Sequence, residues 1–180
     1  MDSKQSVAMR RIIAISGPTC GGKTTLKNRL LADQQFIGII TSTTRTPRRG
    51  ERDGADYYFR RSDEFERLRQ DGLMLESVKI GGAWYGIEIT EIERVVTHEE
   101  VGVVVVTPEG IEALENWCEE RGIGVTRILV TAPTEVLRAR LMRRRGNAED
   151  SEIRERIANL ENEIERYYAV RDWDWVEGTR

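Results

Sequence analysis

Short apolar runs alternate with segments of helical period along this chain. Residues 11–16 (RIIAIS) form an apolar run that meets Gly17-Pro18, which predicts a buried strand ending in a turn. From Lys23 onward, Leu26 and Leu30 lie four apart and predict a helix with one apolar face. Residues 36–40 are a second short apolar run. Residues 101–106 are almost uninterruptedly β-branched, as suits a central parallel strand covered on both faces. Thr107-Pro108-Glu109 then opens a helix, with Thr as N-cap, Pro in the first helical position and Glu at the positive end of the dipole. Residues 125–130 predict another strand, and Pro133-Thr134-Glu135 the start of the next helix. Ile153, Ile157, Leu160 and Ile164 recur at helical spacing and predict a long amphipathic helix over 151–168. Residues 173–176 predict a last short strand, with Trp173 and Trp175 as core or edge packing. The alternation implies an α/β fold, a parallel sheet flanked by helices. Residues 41–95 interrupt it with a polar, Arg- and Gly-rich block that reads as an inserted subdomain.

The first turn carries chemistry. Gly17-Pro18-Thr19-Cys20-Gly21-Gly22-Lys23-Thr24 fits G-x-x-x-x-G-K-[ST] between a strand and a helix, the Walker A pattern of nucleoside triphosphate-binding proteins. Gly17, Gly21 and Gly22 let successive backbone N–H groups turn inward around a phosphate chain. Lys23 reaches the β- and γ-phosphates, and the Thr24 hydroxyl is placed to ligate Mg2+, with Thr25 following in the helix. Cys20 reads as a small loop filler. ATP with Mg2+ is the expected co-substrate.

In the inserted block, Thr41-Ser42-Thr43-Thr44-Arg45-Thr46-Pro47-Arg48-Arg49-Gly50-Glu51 runs on through Asp53-Gly54-Ala55-Asp56-Tyr57-Tyr58-Phe59. Arg45 and Arg48, three apart around Pro47, offer two guanidinium forks that converge on one monophosphate, and Tyr57 offers a phenolic donor. This stretch closely resembles the nucleoside-monophosphate subdomain of guanylate kinases, whose pattern is S-x-TTR-x-PR-x-GE-x-G-x-DY-x-F. Leu75-Glu76 and Trp84-Tyr85-Gly86 match as well. The resemblance assigns Arg45, Arg48, Tyr57 and Tyr85 to the acceptor phosphate and Glu76 to the base, with Thr41, Ser42 and Thr107 also at the acceptor. It implies one P-loop NTPase-type domain. The core would be 10–40, 96–140 and 157–180, the acceptor-binding insert 41–95, and a short Arg-rich lid 141–156. Arg140 at the lid's edge, with Arg145 and Arg156 in it, would close over ATP and stabilise the transferred phosphoryl group, with Arg144 competing with Arg145 for that role. Arg49, Arg52, Arg60 and Arg61 read as solvated surface charges.

Two departures change the expected specificity. The family has Ser or Thr after the Y-G step where this chain has Ile87. Anchored on Gly110, the family's L-D-x-D-x-Q-G aligns its two Asp with Val105 and Thr107. Losing a carboxylate and a hydroxyl weakens selection of guanine and removes an outer anchor for Mg2+. Guanylate kinase activity is the default implied, and a kinase of another acceptor is the alternative, a modified pyrimidine deoxynucleotide or ribose 1,5-bisphosphate. Guanylate-kinase-like scaffold modules bind partner peptides without turnover; the intact Gly22-Lys23-Thr24 argues for an enzyme. The chain ends at Arg180 without the closing helix usual in the family, as a minimal variant would.

Composition fits this picture with one qualification. The 180 residues suit one domain, and 28 Lys+Arg against 31 Asp+Glu give a net charge of -3, so stable nucleic-acid binding is not expected. Of the cations 24 are Arg and four are Lys, with six Arg between 45 and 61 and seven between 138 and 156, an excess that points to anion sites. No apolar run approaches the roughly 18 residues of a membrane span. No signal peptide is visible, so a cytoplasmic location with Cys20 and Cys118 as free thiols is expected. His98, the single histidine, has no ligand cluster around it, and no zinc site is expected.

Overall fold

The computed structural model describes residues 10–145, 157–169 and 173–178, apart from the side chains of residues 144 and 145. A five-stranded parallel sheet runs in the order β2 (Phe36–Gly38), β7 (Val101–Val105), β1 (Arg11–Ser16), β8 (Gly124–Thr131), β9 (Trp175–Gly178). β1 is central, paired to β7 from Ile12 opposite Gly102 and to β8 from Arg11 opposite Gly124. Buried on both faces, β1 needs the unbroken apolar run its sequence carries.

Helices α3 (Ile89–Val96) and α4 (Pro108–Glu119) cover one face. Ile92, Val95, Ile111 and Leu114 pack there with Ile12, Ala14 and Val104 in one buried cluster. On the other face α1 (Lys23–Leu30) lays Leu26 and Leu30 against Ile15, Val103 and Val130. A third cluster joins Leu137 of α5 (Thr134–Arg145) to Leu160 of α6 (Leu160–Ala169). Each fully buried Ile or Leu contributes roughly 1.5–3 kcal/mol, which makes the first cluster the main source of stability.

Thr107 caps α4 as expected, its hydroxyl accepting the Gly110 N–H at 3.1 Å, with Pro108 in the first turn. β9 begins at Trp175 rather than Trp173. Trp173 packs on the core and donates its ring N–H to the Tyr167 carbonyl, whereas Trp175 is 61% exposed on the sheet edge. Of the helix expected over 151–168, residues 151–156 lie outside the described residues.

The inserted block folds into a second sheet of order β4 (Tyr58–Phe59), β3 (Ser42–Thr43), β6 (Ala83–Glu88), β5 (Met74–Ile80), backed by α2 (Ser62–Gln70). Gly86 has no room for a side chain, since a Cβ would stand 2.5 Å from Met74 and 3.2 Å from Phe65. Phe65 and Trp84 stack at 6.1 Å on that side. The opposite face presents Glu76, Val78 and Ile80 of β5, opposite Ile87, Tyr85 and Ala83 of β6. α3 falls inside the block read as an insert, yet Ile92 and Val95 belong to the main core. The buried Glu91 carboxylate ties the two parts together, accepting the Ile40 N–H at 2.9 Å, the Tyr58 hydroxyl at 3.1 Å and Arg94 at 2.7 Å.

Candidate active site

The loop after β1 is held by close packing on β8. A Cβ on Gly17 would lie 2.0 Å from the Val130 carbonyl oxygen, and one on Gly21 would lie 2.6 Å from it. Gly17 and Gly22 sit at φ +145 and +110, where an L side chain is strained. Cys20 adopts φ 59, a left-handed conformation that costs a non-glycine residue on the order of 1 kcal/mol. Lys23 folds over the loop, its Nζ donating to the carbonyls of Gly17 at 2.5 Å and Pro18 at 2.9 Å. Thr24 and Thr25 stand exposed in the first turn of α1. Arg140, from α5, donates to the Cys20 carbonyl at 3.3 Å.

A second cationic cluster lies on the small sheet. Arg45 is largely buried and paired with Glu51 at 3.0 Å. Its guanidinium lies 5.5 Å from the Tyr57 ring centre, and the Tyr57 and Tyr85 rings meet edge to face at 6.1 Å. Burial opposes the charge on Arg45, but Glu51 and Tyr85 outweigh it and hold it above the usual arginine range. Burial, and then Tyr85, push the Tyr57 phenol up, so it remains a donor at neutral pH. Arg48 lies close enough to oppose that rise electrostatically. Arg45 Nε is buried without a hydrogen-bond partner, an unfilled donor inside a cationic cluster. Such a donor costs about 1–3 kcal/mol unless an acceptor fills it, so the cluster is built to take an anion.

A cavity of about 490 Å³ lies between the glycine loop, β5, the start of α4 and α6, whose Glu163, Arg166 and Tyr167 line it. Thr19 of the loop lines it on one side, Val78 and Ile80 of β5 on another, and Thr107 and Glu109 at the start of α4 close its end. Because Val78 stands opposite Tyr85 across β5 and β6, the cavity wall and Tyr85 share one face of the sheet. Glu76 continues that face and packs against Gly110 of α4. Burial, and then the Glu109 charge, push its carboxyl up to about 7.

The residues expected at the acceptor are not all brought together. Arg45, Tyr57 and Tyr85 meet with Arg48 close to Tyr57, Thr107 lines the cavity, and Glu76 packs against Gly110 of α4. Ser42 is fully buried and donates its hydroxyl to Glu88, which also takes the Arg60 fork at 2.9 and 3.0 Å. Thr41 gives its carbonyl to the Tyr58 N–H. Arg60, read as a surface charge, is thereby part of the insert's framework. The Arg145 side chain and Arg156 lie outside the described residues.

Two contacts involve carboxylates to which sequence reasoning gave no role. Glu51 accepts from both Arg45 and the Arg48 N–H, and Glu163 of α6 accepts the Thr19 N–H at 2.9 Å across 144 residues. A Glu in a polar helix is unremarkable until folding sets it beside the loop.

Similarity to known proteins agrees with this geometry. The guanylate kinase family model matches residues 9–176. The chain belongs to the guanylate kinase family. It is 30% identical to a guanylate kinase of Maricaulis maris over 92% of this chain and 73% of that protein. It is 34% identical to one of Rhizobium etli over 92% of this chain and 73% of that protein. The crystal structure of guanylate kinase from Anaplasma phagocytophilum superposes with a TM-score of 0.71 at 25% identity, covering 96% of this chain and 78% of that one. Its family makes this chain an enzyme, a guanylate-kinase-like nucleoside-monophosphate kinase on a P-loop α/β fold. Among the described residues no helix is long and apolar enough to cross a membrane.

Proposed function

We propose that this guanylate kinase relative transfers the γ-phosphoryl group of ATP to GMP, dGMP or a related nucleoside monophosphate, releasing ADP and the diphosphate. The observation that carries the reading is the Arg45, Tyr57 and Tyr85 cluster, whose buried Arg45 Nε is an unfilled donor, in a chain whose glycine loop folds under Lys23. Lys23 leaves the loop carbonyls to bind the donor phosphates, while Arg45, Arg48, Tyr57 and Tyr85 hold the acceptor phosphate in line. Arg140, with Arg145 and Arg156, offsets the charge that spreads over the transferred group. Transfer breaks the bond from the γ-phosphorus to the bridging oxygen and forms one to the acceptor phosphate oxygen.

Mg2+ suits the donor set in this site. No group of three or more His, Cys, Asp or Glu able to hold a metal occurs among the described residues, and Thr24 offers a single hydroxyl oxygen. Such a set leaves the ion to phosphate oxygens and water, the coordination Mg2+ retains most readily. When bound, the ion supplies charge neutralisation between the β- and γ-phosphates.

A second reading, a base other than guanine, is favoured by two placements. Ile87 is fully buried in the core, and the Thr107 hydroxyl accepts the Gly110 N–H and donates its own proton toward the Glu109 carboxylate. ADP release with ATP and a panel of GMP, dGMP, dTMP, dUMP and modified pyrimidine monophosphates tests both readings. Lys23→Ala should abolish release with every acceptor. A clear preference for GMP eliminates the altered-base reading, and no turnover with any acceptor eliminates the kinase reading.

A further inference from the structure

Glu76, which the family resemblance sets at the acceptor base, sits in an electrostatic setting unsuited to guanine. Guanine presents two adjacent donors, N1–H and the 2-amino group, which an ionised carboxylate accepts together. A carboxylic acid presents one donor and one acceptor, the complement of N3–H beside a carbonyl oxygen on uracil or thymine. Glu76 lies on the first turn of α4, its carboxyl carbon 3.0 Å from where a Cβ of Gly110 would stand. No cation and no hydrogen-bond donor among the described residues pairs with it. The residue beside Gly110 on that turn is Glu109, an anion where the family pattern has neutral Gln.

Resting on the kinase reading above, we propose that Glu109, acting through Glu76, determines which base this pocket accepts. Together they favour an edge with one donor beside one acceptor, as on uracil and thymine, over the two donors of guanine. Glu109 is the nearby charge that adds to burial in raising the Glu76 carboxyl to about 7. Glu109 itself stays ionised: burial opposes its charge, but its own backbone N–H and the Arg166 guanidinium outweigh that. The other charges around the cavity are already engaged. From α6, Arg166 pairs with Glu109 and Glu163 accepts the Thr19 N–H; from β5, Lys79 lines the cavity with its Nζ 5.9 Å from the Trp84 ring centre, and it is not paired with Glu76. β6 offers Ile87, which is uncharged. Val78 and Ile80 continue the wall beyond Glu76 as apolar surface, which accepts a 5-methyl group without loss.

The test is ADP release by the full chain with ATP and Mg2+, using GMP and dTMP between about pH 6 and about pH 9. In the wild type, kcat/KM for dTMP should fall, and that for GMP rise, as pH passes through about 7. Glu109→Gln should move both transitions about half a pH unit to the acid side and raise the GMP-to-dTMP ratio at neutral pH roughly threefold. Arg166→Gln removes the cation that compensates Glu109 and should move them the opposite way. Glu76→Gln fixes a donor beside an acceptor at every pH, so dTMP use should persist with a flat profile while GMP use is lost. Identical profiles in wild type, Glu109→Gln and Arg166→Gln, or GMP preference at every pH, overturn the inference while leaving the kinase reading intact. No ADP release with any acceptor overturns both.

Discussion

Replacing Gly110 with Ala should separate reading of the acceptor from the stability of the fold. Gly110 is buried in the first turn of α4, and its N–H is donated to Thr107 at 3.1 Å. A Cβ there would meet the Glu76 carboxyl carbon and Oε1 at 3.0 Å and its Cγ at 3.3 Å. All three atoms belong to the end of a flexible side chain, so the contact is relieved by swinging the carboxyl aside. An off-rotamer side chain costs on the order of 1 kcal/mol. Alanine in place of glycine returns about 1 kcal/mol of helix propensity, so the two nearly cancel and Tm should stay within a few degrees. The displaced carboxyl has no such compensation. Two neutral hydrogen bonds between the carboxyl and the base are worth about 1–3 kcal/mol together, which predicts a rise of roughly 5- to 100-fold in acceptor KM. The KM for ATP, whose proposed phosphate contacts are at the glycine loop, should not move. Initial rates with each substrate varied in turn, beside a thermal melt, make the measurement. An unchanged acceptor KM with an intact Tm would show that Glu76 does not face the base. A loss of more than about 10 °C would show that the contact is not soft.

Gly17→Ala presents the reverse case, because its Cβ would meet the Val130 carbonyl oxygen, a backbone atom of β8, at 2.0 Å. Either the loop or the β1–β8 pairing must give way, with an expected loss above roughly 3 kcal/mol in urea unfolding and no turnover; a wild-type unfolding midpoint would refute this. Glu76 should also shape stability against pH. Its carboxyl is raised from 4.5 to about 7 by burial and then by Glu109, so its contribution is complete below about 4.5 and is lost as pH rises through about 7. Glu76→Gln removes that slope and should stabilise the protein at about pH 8 by on the order of 2 kcal/mol, with little effect near pH 4; equal slopes in urea titrations would contradict it.

The centre of the parallel sheet was legible because its inner strands are buried on both faces and must be continuous apolar runs, as residues 101–106 are. α4 was legible to the residue, since Thr107 and Pro108 satisfy capping needs that are local. The small sheet was not. β3 and β4 are two residues each, too short to show a period, and their placement comes from distant clamps. The Thr43 hydroxyl donates to the Trp84 carbonyl at 2.8 Å, and the Thr44 hydroxyl accepts the Trp84 N–H at 2.9 Å. α3 could not be assigned to the core from its place in the chain, because the apolar face carrying Ile92 and Val95 says that it packs but not on what. Within the site, Arg45, Arg48 and Tyr57 were legible as a spaced set. Glu51 was present only as a fixed letter of the pattern, and Glu163 acquires a role only when α6 reaches the loop.

The arginine excess divides into two uses that sequence alone does not separate. Arg60 sends Nε and Nη2 to the two oxygens of buried Glu88, and Arg94 does the same to buried Glu91 at 2.9 and 2.7 Å. Each guanidinium lays its fork along a carboxylate that burial would otherwise leave costly, and both carboxylates fasten short strands that have little apolar core of their own. Removing either arginine would strand a buried charge, at about 3–5 kcal/mol, so these residues cannot also leave to meet a substrate. Arg45 is engaged differently. One nitrogen, Nη2, reaches both Glu51 oxygens at 3.0 Å, Nη1 donates to the Thr46 carbonyl at 2.7 Å, and Nε remains without a partner. An end-on pair holds the guanidinium in place without using up its fork. That difference, rather than the number of arginines, marks Arg45 as the guanidinium of these three with a buried donor still to be filled.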